Sequence, residues 1–227
     1  MNSRVILVSD DRSSLRSPDT LLWPDAACMR GIHTGEWTAH IFEYAMSFEG
    51  NMTQVRELAA ANGVGVLHPH GALATDPPGL IVCDVDSTVT RTEAIDLLAE
   101  CAGNADEVRE ITARAMVGEL DFTQSLYARV RCLEGLHIGA LEEAWKATVI
   151  TPGTAELVAA AHDVGAAVGL VSGGFTAIVD PLAEQIRADF AASNELEIVD
   201  NHLTGRVVGD IIDRAAKATW LRRWASE

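Results

Sequence analysis

Leu80-Ile81-Val82-Cys83-Asp84-Val85-Asp86-Ser87-Thr88-Val89-Thr90 is the stretch from which the fold can be read. Four apolar residues in a row read as a short buried strand. Two carboxylates one residue apart follow at its end, and hydroxyls follow them. This pattern suits phosphoryl transfer through an aspartyl-phosphate. Asp84 would attack phosphorus as nucleophile, and Asp86 would protonate the leaving alkoxide and then activate water. A divalent cation belongs with them, because a carboxylate and a phosphate dianion repel each other until one is neutralised. The same residues also suit a plain solvated turn, since Asp, Ser and Thr favour turns. The rest of the chain has to separate the two readings.

A second apolar run, Ala166-Ala167-Val168-Gly169-Leu170-Val171, leads into Ser172-Gly173-Gly174-Phe175. A hydroxyl and two glycines at a strand-to-helix junction let backbone N–H groups turn toward an anion, and phosphates bind at such nests. Lys217, in Arg214-Ala215-Ala216-Lys217, could set a positive charge against a phosphate. Taken singly, the glycines read as a turn and the lysine as a solvated helix residue. In this order, the three segments resemble the first three motifs of the haloacid-dehalogenase (HAD) superfamily, whose first motif is Asp-x-Asp-x-Thr/Val.

Between the first two motifs the resemblance narrows. Thr92-Glu93-Ala94-Ile95-Asp96, Ala115-Met116-Val117-Gly118-Glu119-Leu120-Asp121-Phe122 and Ser125-Leu126-Tyr127-Ala128-Arg129-Val130 are similar to segments of the phosphoserine phosphatase family. Asn194-Glu195-Leu196, Leu203-Thr204-Gly205 and Gly209-Asp210 extend the similarity, which covers about residues 78–220. The resemblance implies hydrolysis of O-phospho-L-serine, the last step of serine biosynthesis, with Mg²⁺ as cofactor held by Asp84 and Asp86. It makes Asp84 the nucleophile and Asp86 the acid/base. Glu93 would receive the substrate ammonium and Arg129 its carboxylate. Met116 and Phe122 would close the pocket, Ser172 and Gly173 would hold the phosphoryl oxygens, and Lys217 would balance their charge.

Those roles make physical sense. Phosphoserine carries a phosphate, a carboxylate and an ammonium on a three-carbon frame, so a selective site needs an anion and a fork of donors. Glu93 is the anion, and an arginine can grip a carboxylate with two parallel hydrogen bonds. Apolar Met116 and Phe122 would exclude water and strengthen each charged contact. Without the resemblance, Glu93 reads as an acid near a helix start, Arg129 as a surface cation, and Met116 and Phe122 as core.

At 227 residues and a formal net charge of -16, the chain can bury a core and lacks the basic stripes that nucleic acid requires. No apolar run reaches the length of a membrane span; Leu157 to Val171 is interrupted by His162 and Asp163. No leader pattern stands at the N-terminus. Cys28, Cys83, Cys101 and Cys132 have no metal spacing and read as free, buried thiols of a reducing cytoplasm. His68-Pro69-His70 lacks the further ligands of a metal site.

The expected fold is α/β: a HAD-like, Rossmannoid parallel sheet with a helical cap inserted after its first strand, preceded by a small N-terminal region. Residues 1–76 form that region, with strands at Val5–Ser9 and Val64–Leu67, a Pro- and Trp-containing loop and a helix over Met52–Ala61. Pro77-Pro78-Gly79 breaks the chain. Residues 77–91 and 148–227 form the core, strand and helix alternating over 150–220, and 92–147 the cap. In the cap, Val108, Ile111, Thr112, Ala115 and Met116 follow helical spacing, and Asp121 is placed to cap the next helix.

The resemblance also implies a fourth motif of the kind Gly-Asp-x-x-Asn-Asp, which supplies a third acidic group for the metal. No such run occurs; the sequence closes on Trp224-Ala225-Ser226-Glu227. The expectation is a core lacking its C-terminal strands, weaker Mg²⁺ binding and poor turnover. Leu80–Cys83 would then be an exposed apolar edge prone to self-association, unless Val5–Ser9 covers it. Two alternatives stay open: a HAD phosphatase or phosphotransferase for another small phosphate, and a catalytically silent binding protein.

Overall fold

The computed structural model describes residues 3–9, 28–33, 38–44, 52–69 and 71–227. The chain divides into two compact units, Met1–Pro77 and Pro78–Glu227. The division falls inside Pro77-Pro78-Gly79, where prolines withhold backbone donors.

In the first unit, β1 (Ser3–Ser9), β2 (Cys28–His33), β3 (Thr38–Tyr44) and β4 (Gly65–Leu67) make one sheet in the order β2-β3-β1-β4. All its neighbouring strands are antiparallel. Helix α1 (Met52–Ala61) precedes β4, within the bounds the sequence predicts. Most of the Pro- and Trp-containing loop, and His70, lie outside the described residues.

In the second unit, β5 (Leu80–Cys83), β6 (Ala167–Phe175), β7 (Phe190–Val199) and β8 (His202–Val208) are hydrogen-bonded in that order. β5, β6 and β7 run parallel. β8 does not continue the alternation of strand and helix; it folds back antiparallel on β7. The cause is local. Asp200 and Asn201 adopt φ of 50° and 61°, the pair of positive values that a tight two-residue hairpin turn needs and that Asp and Asn tolerate.

Helices α2 (Ala94–Ala102), α3 (Ala105–Met116), α4 (Phe122–Arg131) and α5 (Gly139–Ala147) follow β5 without an intervening strand. Gly103 ends α2 at φ 74°, a value open to glycine at little cost. Asp121 caps α4 as the sequence predicts, accepting from the Gln124 N–H while the Gln124 side chain accepts from the Asp121 N–H. Leu98, Val108, Leu126 and Val130 from these helices, and Leu133 in the turn after α4, pack with Phe175, Ile178, Leu196 and Leu203.

Two further clusters fix the sheet. Helices α6 (Thr154–Asp163) and α7 (Thr176–Ile186) bury Val158, Val179 and Leu182 with Val168, Leu170, Val85 and Val89. Helix α8 (Arg214–Trp224) lays Trp224 against Val171 and Ala192. Gly169 makes room for that indole, since a Cβ there would stand 2.8 Å from two of its ring carbons.

β5 pairs with β6 from Leu80↔Ala167 to Cys83↔Leu170, and no described strand lies on its other edge. β1 is hydrogen-bonded along both its edges, to β3 and to β4. Cys83 and Cys132 are half-buried free thiols, whereas Cys101 is exposed near the end of α2, not buried. No described helix is long and apolar enough to cross a membrane.

Candidate active site

β5 delivers its last residue to the mouth of a sharp turn. Asp84 caps that turn, accepting from the Val85 N–H at 2.9 Å. Val85 and Val89 anchor the turn in the core, and the Thr90 hydroxyl donates to the Val85 carbonyl at 3.2 Å and to Thr92 O at 2.8 Å. Ser87 is thereby held at φ 57°, a left-handed conformation that costs a non-glycine residue roughly 1–2 kcal/mol. The result is a stiff loop presenting Asp84 and Asp86 side by side.

Asp86 is fixed by two elements. Its Oδ1 accepts from the N–H of Ala94, the first residue of α2, at 3.0 Å, and its Oδ2 accepts from the Ser172 hydroxyl at 3.0 Å. A helix N-terminus favours such an anion. Ser172 is fully buried and also accepts from the Gly174 N–H at 2.8 Å.

The Ser-Gly-Gly segment lies not at the strand-to-helix junction but inside β6, whose register with β7 shifts between Val171 and Phe175. That irregularity turns the backbone toward Asp86. Both glycines are demanded by close approach. A Cβ on Gly174 would come within 2.6 Å of Asp86 Oδ2, and one on Gly173 within 2.8 Å of the Phe122 ring.

Opposite them, Asp213 caps α8 by accepting from the Ala216 N–H at 2.8 Å, which sets Lys217 on the helix's first turn. Lys217 Nζ donates to Asp84 Oδ1 at 2.7 Å. Glu93 stands immediately before α2, and its Oε1 accepts from the Ser87 hydroxyl at 3.2 Å. Arg129 projects from α4, its Nε donating to the Ser125 carbonyl at 3.3 Å. Burial pushes the pKa of its guanidinium below the ordinary arginine value, against the pull of Glu93, Asp96 and Asp86. An arginine so placed keeps its charge.

These groups surround a pocket of about 170 Å³ lined by Asp84, Asp86, Glu93, Ile95, Phe122, Leu126, Arg129, Gly173, Gly174, Phe175 and Lys217. Of the residues singled out in the sequence, Ser172 lies behind the lining and Met116 lies outside it, 84% exposed. The reason for Met116 is rotational. α3 turns Val108 and Ile111 inward, and five residues beyond Ile111 the helix has rotated roughly 500°, which faces Met116 away. Ile95, Leu126, Gly174 and Phe175 join the lining unannounced. Leu126 had a signal, standing one helical turn after Phe122.

Asp84 and Asp86 carry hard oxygens, the donor type Mg²⁺ prefers, and among the described residues the bonds to the Asp84 carboxylate all fall on Oδ1. Among the described residues no group of three His, Cys, Asp or Glu side chains gathers into a metal cage. Both Asp86 carboxylate oxygens already accept hydrogen bonds, so the Asp84 carboxylate and the Asp86 backbone carbonyl are the groups that would hold a cation, with water completing its shell.

The family model of the haloacid dehalogenase-like hydrolases matches residues 81–227. The chain is 49% identical over 168 residues to the phosphoserine phosphatase of Streptomyces coelicolor, covering 74% of this chain and 41% of that one. It thus spans about two-fifths of that relative's length. The crystal structure of a HAD family hydrolase from Salmonella enterica serovar Typhi superposes with a TM-score of 0.85 over 99% of this chain and 78% of that chain. At 23% identity it shows the shared fold. A phospho-aspartyl intermediate analogue of phosphoserine phosphatase matches at 38% identity and a TM-score of 0.62, over 66% of this chain and 72% of that one. The matched family segment takes in the second unit's sheet from Ile81 onward, its helices and all the residues that line the pocket, and the chain belongs to the haloacid dehalogenase-like hydrolases.

Proposed function

We propose that the pocket hydrolyses O-phospho-L-serine to L-serine and phosphate through an aspartyl-phosphate on Asp84. The observation that carries this reading is one pocket lined by Asp84, Glu93 and a half-buried Arg129. A nucleophile, an anion for an ammonium and a donor fork for a carboxylate match the three charged groups of that substrate.

Asp84 attacks phosphorus, the bond from phosphorus to the serine oxygen breaks, and Asp86 gives that oxygen its proton. Asp86 then takes a proton from water, which attacks the phosphoryl group and frees Asp84 and phosphate. Ser172, bonded to Asp86 Oδ2 at 3.0 Å, keeps that carboxyl aimed, and Gly173 brings backbone close to the phosphoryl oxygens. Lys217, bonded to Asp84 at 2.7 Å, offsets their charge. Phe122 excludes water on the side of Gly173. Mg²⁺ bound by Asp84 and Asp86 would supply the charge neutralisation that lets a carboxylate approach a phosphate dianion.

On this reading residues 92–147 act as a cap over a core of 77–91 and 148–227, and residues 1–76 are a separate small module. The reaction completes serine biosynthesis, and a cytoplasmic setting suits the free thiols Cys83, Cys101 and Cys132. The outer edge of β5, without a described strand partner, supports association with a second strand. Light scattering would read that as a mass rising with concentration, and a constant monomer mass would overturn it.

The test of function is phosphate release from O-phospho-L-serine with and without Mg²⁺, beside O-phosphoethanolamine and an Asp84→Asn control. The expected result is Mg²⁺-dependent release, slower without the substrate carboxylate, and reduced about a thousandfold or more in the control. Equal rates on both substrates would show that Arg129 does not read a carboxylate.

A further inference from the structure

Asn194 is fully buried, 1% exposed, in the middle of β7, and it is a polar side chain that the proposed chemistry does not use. Its Nδ2 donates to the Gly173 carbonyl at 2.8 Å, and its Oδ1 accepts from the Ile212 N–H at 2.9 Å. Both partners are backbone groups of fixed polarity, so the amide has only one orientation that satisfies them.

The first of these bonds bears on a peptide with unusual freedom. Gly173 and Gly174 flank a single peptide unit, and two glycines leave such a unit free to flip. The unit is trans, as are all those described, so its C=O and N–H point in opposite directions. With the carbonyl held by Asn194, the Gly174 N–H points the other way, onto the Ser172 hydroxyl that in turn bonds Asp86. A flip would aim a carbonyl oxygen at the Ser172 hydroxyl, leave that hydroxyl without its donor and draw its proton away from Asp86.

The second bond reaches the other side of the pocket. Ile212 adjoins Asp213, which caps the helix carrying Lys217, and Lys217 meets Asp84. One amide thus braces both the glycine loop and the segment that launches the lysine.

We infer that Asn194 is a positioning residue for anion binding: it locks the Gly173–Gly174 peptide with its N–H on the Ser172 hydroxyl that aims Asp86, and holds that loop in register with the helix of Lys217. The inference rests on the reading of the pocket as a phosphate site and is independent of which phosphate ester is cleaved.

The test is the affinity of the full chain for inorganic phosphate by calorimetry, in the wild type and in Asn194→Asp, at pH 7.5 and pH 5.5. Ionised, the new carboxylate keeps the Ile212 contact but cannot donate to Gly173 O. Protonated, it can do both. Burial raises the pH at which a carboxyl takes its proton, so the variant recovers its donor as pH falls. The expected result is phosphate binding about tenfold weaker than wild type at pH 7.5, the value of one lost hydrogen bond. At pH 5.5 the ratio to wild type should return toward one. Taking the ratio at each pH cancels the titration of phosphate itself.

Binding equal to wild type at pH 7.5, or a loss of the same size at both pH values, would overturn the inference. If Asn194→Asp fails to fold, Asn194→Ser is measured, and its binding must weaken about tenfold while thermal melting stays cooperative. Phosphate bound without release from O-phosphoserine would sink the substrate assignment alone and leave this inference standing. A wild type that binds no phosphate would sink both.

Discussion

Arg129 sits where two effects oppose each other: burial lowers the pKa of its guanidinium, and the carboxylates of Glu93, Asp96 and Asp86 raise it. A lysine there would keep the charge and lose the planar fork. Arg129→Lys should therefore cut the preference for O-phosphoserine over O-phosphoethanolamine about tenfold or more, read as a ratio of kcat/KM values. A preference unchanged by the substitution would place the carboxylate site elsewhere. Gly174 offers a sharper steric test. Alanine would put a Cβ within 2.6 Å of Asp86 Oδ2, and the displaced carboxyl should lower kcat about a hundredfold in a protein that still melts cooperatively. Neither property can be seen in the string of letters. Ser-Gly-Gly announces a backbone that comes close to something, but the partner, Asp86, lies 86 residues away in sequence. Asn194 is quieter still, because nothing distinguishes a buried amide that braces a loop from one at a strand surface.

Among the elements, α4 shows how a local rule stabilises a distant site. Asp121 and Gln124 exchange reciprocal hydrogen bonds at its start, and Phe122 and Arg129 ride on the same helix into the pocket. Asp121→Ala should cost about 1 kcal/mol, a fall in melting temperature of about 2–4 °C for a unit of this size. An unchanged melting curve would mean the box forms without stabilising the helix. This cap was legible because capping is chemistry between residues three apart, and so was α1, whose ends match the bounds read from the sequence. β5 was legible as an apolar run ending in carboxylates. The β7–β8 hairpin was not read, although Asp200-Asn201 carried its turn chemistry; the alternation around it suggested another crossover helix. Met116 failed for a related reason, since spacing places a residue on a helix but only the packed face decides which way it looks.

At the scale of the whole second unit, Asp189 joins three elements. It lies between α7 and β7, and its Oδ2 accepts from the Val168 N–H of β6 at 2.7 Å and meets His162 Nε2 of α6 at 2.9 Å. Desolvation pushes its carboxyl up, but the Val168 N–H and His162 together outweigh it and leave the group below its ordinary 3.8. A carboxyl depressed in the folded state contributes stability in full above the unfolded value, about 3.9, and loses it as pH falls through the folded one. Asp189→Asn should melt below the wild type at pH 7, and the gap should narrow as pH falls through the lowered folded-state value. A gap that persists in acid would mean the charge is not what matters. The bond between Asp86 and the Ala94 N–H ties the first residue of α2 to the turn that carries both carboxylates. The inserted helices and the carboxylate turn share that contact. Helical insertions transplanted from a sister hydrolase will seat only if the donor's first amide reaches back to Asp86, so chimaeras spliced at residue 92 should work when that reach is copied and idle when it is not.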